Sequence, residues 1–300
     1  MTAEIGVIGA GPAGLAAAAA LRRAGRSVVV LEKSRGIGGR LATRRTRSGL
    51  DFDHGAPNVP GRPLPFAAFL DGAISAGHGA TWRGGVVGLP GMSGLLAGLT
   101  APLDIRFETE VTAVTRTAEG WRLETGAETA HFAGVICTAP APQTARLCAS
   151  IPEIVEAAAA ARMTPCWTLM AAWETAGQLR ATPPAPLALV TDTATKPGRS
   201  PVPHRFAAHA STEWSIANLE EDREAVQAAL LPALAEATGA TGEPLYAATH
   251  RWRFARVVEP LGRDCVTAPG GLVAAGDWVA GPEAGDAYAS GLAAAAALSG

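Results

Sequence analysis

The chain has 300 residues, 48% hydrophobic and 17% charged, with a formal net charge of −2. That length and composition suit a globular protein with a sizeable core and exclude a disordered chain. With no basic excess, the sequence offers no electrostatic footprint for nucleic acid or an anionic membrane, and neither is expected as a partner.

The first uncharged run, Ile5 to Leu21, carries four glycines and a proline, which makes it a poor membrane span or signal segment. It reads instead as strand, turn and helix. Glu4 to Ile8 form a short buried strand, Gly9, Gly11 and Gly14 supply a GxGxxG pattern, and good helix formers continue to Gly25. Gly9 permits a tight turn, and Gly11 lets a pyrophosphate approach the backbone. Gly14 lets the helix pack closely on the strand, and Pro12 and Ala13 begin a helix whose N-terminus faces the phosphates. The next apolar run, SVVVLEK, ends on Glu32 and Lys33; an acid eighteen positions after Gly14 suits the adenosine ribose. NAD and FAD share this fingerprint.

Directly after it comes SRGIGGRLATRR, with three glycines and four arginines in residues 34–45. Backbone freedom and positive charge together suit an anionic ligand lying against the main chain, at Gly39, Arg40 and Leu41. Arg44, Arg45 and Arg47 stay open between site and solvated surface. In DFDHGAP, Ala56 adjoins the site, and His54 faces the cofactor or stabilises a turn. VTAVTRT, which opens on Val111, WRLETG and ETAHFAG read as a small antiparallel meander.

Further on, CWTLMAAWE and HRFAAHAS read as strands. A helix from about Glu220 to Thr238 places Val226, Leu230 and Leu234 on one face. The intervening RATPPAPLALVTDTATKPGRSPVPH is proline-rich and is expected to be a mobile loop beside the pocket. In HRWRFAR, His250, Trp252 and Arg253 are the candidate catalytic, substrate-facing residues; the alternative is that alternate strand residues simply pack in the core. The C-terminal GLVAAGDWVAGPEAGDAYASGLAAAAAL reads as a buried strand, a Gly276–Asp277 turn, a polar loop with Asp286 and Ala287, and an alanine-rich helix. Asp286 is either a helix cap or a carboxylate beside the cofactor, where it would oppose negative charge. The four cysteines form no CxxC pair and no zinc-like spacing, so no metal site is expected, and their usage fits a reducing cytoplasm.

Seven segments in register, namely KSRGIGGRLATRR, DFDHGAP, GLPGMSGL, ICTAPAPQ, HASTEWS, HRWRFAR and GDW, resemble the bacterial renalase-like group of the flavin-containing amine oxidase superfamily. The resemblance implies an α/β fold, a glutathione-reductase-like FAD-binding Rossmann domain with an inserted mixed α/β substrate domain. Residues 1–65, 86–146 and 264–300 would form the first domain, and residues 66–85 and 147–263 the second. It also implies FAD contacts at Gly9, Gly11, Gly14, Glu32, Lys33, Gly39, Arg40, Val111 and Asp277, with Pro12, Ala13, Leu41, Ala56, Gly276, Asp286 and Ala287 beside them. No cysteine or histidine lies in the C-terminal motif, so the flavin is expected to be non-covalent.

By the same resemblance the small-molecule substrate is an isomeric dihydronicotinamide nucleotide (NAD(P)H-related), with oxygen as acceptor and hydrogen peroxide as product. The alternatives are a flavin oxidase or dehydrogenase of an amine or other hydrophobic molecule, and a catalytically decayed FAD-binding protein. The chain has two lysines, Lys33 and Lys196, and neither obviously replaces the lysine that many amine oxidases hold near the flavin. Pro57, the short segment Ala80 to Gly88 and the loop EAGDAYASG depart from the group's pattern.

Overall fold

Residues 5–23 form a buried strand, Ile5–Ile8, and a helix, Pro12–Arg23, in a computed structural model that describes residues 4–101, 103–126 and 128–299. Gly11 caps the helix and Pro12 opens it, where a missing N–H costs nothing. Arg22 and Arg23 occupy its last turn, at the negative end of the helix dipole. Ile5–Ile8 sits inside a six-stranded sheet in the order Val266–Ala268, Leu272–Ala274, Gly134–Cys137, Ile5–Ile8, Val28–Leu31, Asp104–Arg106. All neighbours pair in parallel except the edge strand Val266–Ala268. Parallel strands are covered on both faces, which explains why VVVL and GVIC read as unbroken apolar runs.

One face carries helices Pro12–Arg23 and Ala284–Ala297, which approach so closely that a Cβ at Gly291 would lie 2.1 Å from the Ala13 carbonyl oxygen. The other face carries the expected meander, Val111–Thr117, Gly120–Thr125 and Thr129–Phe132. Helices Leu64–Ser75 and Pro152–Ala160, assigned from sequence mostly to the second domain, pack on the parallel sheet instead, the second beside Ala141–Leu147 of the first domain. Helix Leu64–Ser75 buries Phe66, Leu70 and Ala73 in one core with Val7, Leu15 and Tyr288. Helices Ala141–Leu147 and Pro152–Ala160 bury Leu147, Ile154 and Ala158 with Leu31 and Cys137. Their apolar stripes match the open faces of the parallel sheet, and that burial sets their place.

The second sheet is antiparallel, in the order Leu187–Asp192, His204–Ala210, Arg162–Trp173, Tyr246–Glu259. Its side chains alternate between faces. Trp167, Leu169, Ala171 and Trp173 meet Val226, Leu230 and Leu234 of helix Arg223–Thr238. The helix starts where Asp222 accepts a hydrogen bond from the Ala225 N–H at 2.7 Å and ends at Gly239, φ 60°. The opposite face places Met170 and Ala172 on Phe52, and it aligns His209, Thr168 and His250 in one cross-strand row. No helix among the described residues is long and apolar enough to cross a membrane.

The proline-rich segment differs from the expected mobile loop. Leu187–Asp192 is a strand, and Lys196 beyond it is 2% exposed. Its ammonium lies 2.8 Å from Asp53 Oδ2, and Arg199 Nη2 lies 3.0 Å from the same oxygen. Trp82 Nε1 donates to the Thr195 carbonyl at 2.9 Å. Burial alone would raise the Asp53 pKa, but Lys196 and Arg199 more than offset this and hold it at about 2. The segment is thus a buried ionic strap. Asp53→Asn strands Lys196 and leaves Arg199 with Asp51 alone, at 3.5 Å, and the expected loss is about 3–5 kcal/mol. Lys196→Met leaves the Arg199–Asp53 pair intact and should cost less. Urea unfolding of the two variants checks this; equal losses would contradict it.

Candidate active site

The two glycine loops found in the sequence touch. Gly38 N–H donates to the Ala10 carbonyl at 2.9 Å, and a Cβ at Gly39, φ 54°, would lie 3.5 Å from Gly11 Cα. Glu32 braces the first loop: its Oε2 accepts from the Ala10 N–H at 2.7 Å and its Oε1 from the Ser34 N–H at 2.8 Å. From the far end of the chain, Asp277 meets Arg40 in a bidentate pair, at 2.5 and 2.7 Å. Arg40 Nη1 also donates to the Ala255 carbonyl at 3.2 Å, which ties the pair to the second sheet.

These elements line one cavity of about 1870 Å³ that also includes residues of the antiparallel sheet. Drug-sized pockets are about 300–1,000 Å³, so this one has room for a dinucleotide and a substrate together. Its wall fits a pyrophosphate-bearing cofactor. Nothing lies within 4 Å of the position a Gly11 Cβ would occupy, so backbone faces open space there, with Lys33 and Arg40 also in the lining.

All the cofactor residues expected from sequence line the cavity except Gly14 and Asp286. Gly14 serves helix packing, since a Cβ there would fall 2.0 Å from the Gly9 carbonyl oxygen. Asp286 is corrected to a capping residue. Its Oδ2 accepts from the Glu283 N–H at 3.0 Å, while Glu283 reciprocates to the helix backbone, so the carboxylate is spent on the helix start. Arg44 and Arg45 line the cavity and Arg47 does not. Lys33 is its one lining lysine; Lys196 is held by Asp53 outside it.

At the antiparallel sheet, His250, Trp252 and Arg253 join His54 in the lining, but the Arg253 guanidinium is already paired. Ring centroids are 4.2 Å apart for His250–Trp252, 4.9 Å for His54–His250 and 5.1 Å for His54–Trp252. Trp252 Nε1 donates to the His54 carbonyl at 3.0 Å. Strand alternation sends Arg253 to the other face, where Glu220 binds its guanidinium at 2.5 and 2.9 Å. His209 is the residue that sequence reasoning missed. It lines the cavity opposite Thr168, and its Nδ1, like that of His54, is buried without a hydrogen-bond partner. Its place was readable only as an alternate position of HRFAAHAS.

All three histidines are held neutral. Burial, then His250 and Arg44, push His54 down to about 3. Burial pushes His209 down to about 4, and burial with Arg223 and Arg44 does the same for His250. The unfolded chain therefore binds protons that the folded chain refuses as pH falls below the ordinary value of 6.5. Stability should rise with pH between about 4 and 6.5 and be fully present above that. His209→Gln should remove about 2 kcal/mol of the loss between roughly pH 7 and pH 4.5. Urea midpoints of both proteins across that window check it; identical slopes would contradict a neutral buried His209.

Residues 7–71 match an NAD(P)-binding Rossmann-like domain, and residues 66–299 match the flavin containing amine oxidoreductase family. Among solved structures, a protein of Exiguobacterium sp. 255-15 provisionally named a protoporphyrinogen oxidase superposes with a TM-score of 0.70 at 15% identity, covering 100% of this chain and 99% of that one. Cyclohexylamine oxidase from Brevibacterium oxydans gives 0.68 at 14% identity, with 100% and 99% covered. An oxidoreductase from Methanosarcina mazei gives 0.66 at 16% identity, with 97% and 99% covered. At these identities the likeness is one of fold. The match over residues 66–299, continuing from a dinucleotide cradle built by the first forty residues and Asp277, places the chain in the flavin-containing amine oxidoreductase family as an FAD-dependent oxidoreductase.

Proposed function

We propose that this protein oxidises a dihydronicotinamide nucleotide reduced at an unusual ring carbon, with oxygen as the final acceptor. The observation that carries the reading is the wall of His54, His250 and Trp252. Flat rings suit a planar heterocycle, which gains from stacking as well as burial. Behind them, the unpartnered His54 Nδ1 and His209 Nδ1 offer neutral imidazole nitrogens to the N–H groups of a ring carboxamide. Buried polar atoms without partners are costly, so a ligand that satisfies them gains affinity.

In this reading Gly11, Gly39 and the start of helix Pro12–Arg23 receive the cofactor pyrophosphate, and Glu32 takes the adenosine ribose with its remaining lone pairs. Arg40 and Asp277 hold the phosphate and ribityl portion, and Val111, Leu41 and Ala287 supply apolar wall. FAD, when bound, would supply the two-electron acceptor for the hydride that the dihydronicotinamide ring gives up, and dioxygen, with one proton from solvent, would take up that hydride equivalent as hydrogen peroxide. The chain's own part is to orient the ring, exclude water through Trp252 and keep the three histidines uncharged.

Anaerobic mixing of the purified yellow protein with candidate reductants tests this. Rapid bleaching by isomeric dihydronicotinamide nucleotides, with peroxide formed on readmitting air, is the expected result. Bleaching by a hydrophobic amine alone would replace the reading with amine oxidation, and no bleaching by either would leave a cofactor-binding protein without this activity.

A further inference from the structure

We propose that Arg44 and Arg256 form an anion-anchoring pair at the histidine end of the cavity, and that the substrate carries a phosphate there. The inference rests on the nucleotide reading above and assigns two residues to the phosphate that such a nucleotide carries. Arg44 stands on the short strand Thr43–Arg45, opposite Phe52, and Arg256 stands on Tyr246–Glu259, opposite Thr164. Both are exposed and both line the cavity. Neither makes an ion pair among the described residues. Both reach the histidines electrostatically, Arg44 acting on His54 and His250 and Arg256 on His209.

Most carboxylates around the cavity are already committed to other partners. Asp53 is committed to Lys196 and Arg199, Glu220 to Arg251 and Arg253, and Asp277 to Arg40. Of the remaining lining acids, Glu32 is bonded to the first glycine loop, Glu283 caps a helix, and Glu110 adjoins Val111. An ammonium group entering this end would meet two guanidiniums without an ion-pair partner among the described residues. A phosphate would meet two planar forks matched to its oxygens. Neutral histidines add no charge of their own beside the two guanidiniums.

The test uses the flavin-loaded protein and two aromatic probes of opposite charge, phenyl phosphate and benzylammonium, in titration calorimetry. Phenyl phosphate should bind at least roughly tenfold more tightly than benzylammonium and weaken as salt is added. Arg44→Gln/Arg256→Gln, at exposed positions and checked for full flavin content, should lose about tenfold or more of that affinity and most of its salt dependence. The proposal is overturned if phenyl phosphate does not bind, if benzylammonium binds as tightly, or if the double variant keeps wild-type affinity. Phenyl phosphate binding without bleaching by any dihydronicotinamide would keep the anion site and discard the nucleotide reading. Bleaching with unchanged affinity in the double variant would do the reverse.

Discussion

Arg40 and Asp277 are 237 positions apart in the chain and share two short hydrogen bonds. Asp277 is 5% exposed, so its carboxylate depends on that guanidinium for its counter-charge. The same Arg40 donates to Ala255 on the antiparallel sheet, and its carbonyl accepts from the Ala56 N–H at 3.0 Å. A bidentate pair fixes direction as well as distance. One residue, through its side chain and its carbonyl, thereby ties the last turn of the parallel sheet, the second glycine loop, the loop after His54 and the strand bearing Trp252. The cavity takes its shape from this junction, because its walls come from segments that meet nowhere else in sequence.

The antiparallel sheet separates structure from chemistry by simple alternation. Its helix-covered face holds Trp167, Leu169 and Phe206, and its other face holds His209, Thr168, His250 and Trp252. The ionic strap works on the same end. Asp53 immediately precedes His54, so the bonds that anchor Asp53 to Lys196 and Arg199 also fix where His54 enters the cavity. Burial costs these histidines their proton, and the result is a wall that is polar, flat and uncharged.

The cofactor half was readable from sequence because its requirements are local. Gly9, Gly11, Gly14, Glu32 and the Gly276–Asp277 turn each satisfy a backbone or spacing condition that shows within a few residues. The meander and helix Arg223–Thr238 were readable for the same reason, through their periodicity. What stayed hidden depends on coincidence in space. Lys196 looked like part of a mobile loop because nothing in TATKPGR announces a carboxylate 143 positions earlier. His209 looked like one more strand residue, and Arg253 could not be separated from Trp252 until the sheet gave each strand a face. Asp286 was ambiguous because a cap and a cofactor neighbour call for the same residue at a helix start; its bond to the Glu283 N–H decides for the cap.

The central claim is that the cofactor's pyrophosphate lies against the bare backbone at Gly11, held without a covalent bond. Paired valine substitutions at Gly11 and Gly14 test it most directly, with flavin content measured after gel filtration and acid precipitation. The wild-type protein should release FAD and leave none on the polypeptide. Gly11→Val should fold, because its side chain enters open space, yet purify without flavin. Gly14→Val should instead lower the unfolding midpoint of the cofactor-free protein, because its side chain collides with the Gly9 carbonyl. A Gly11→Val protein that keeps FAD with wild-type affinity would contradict the account.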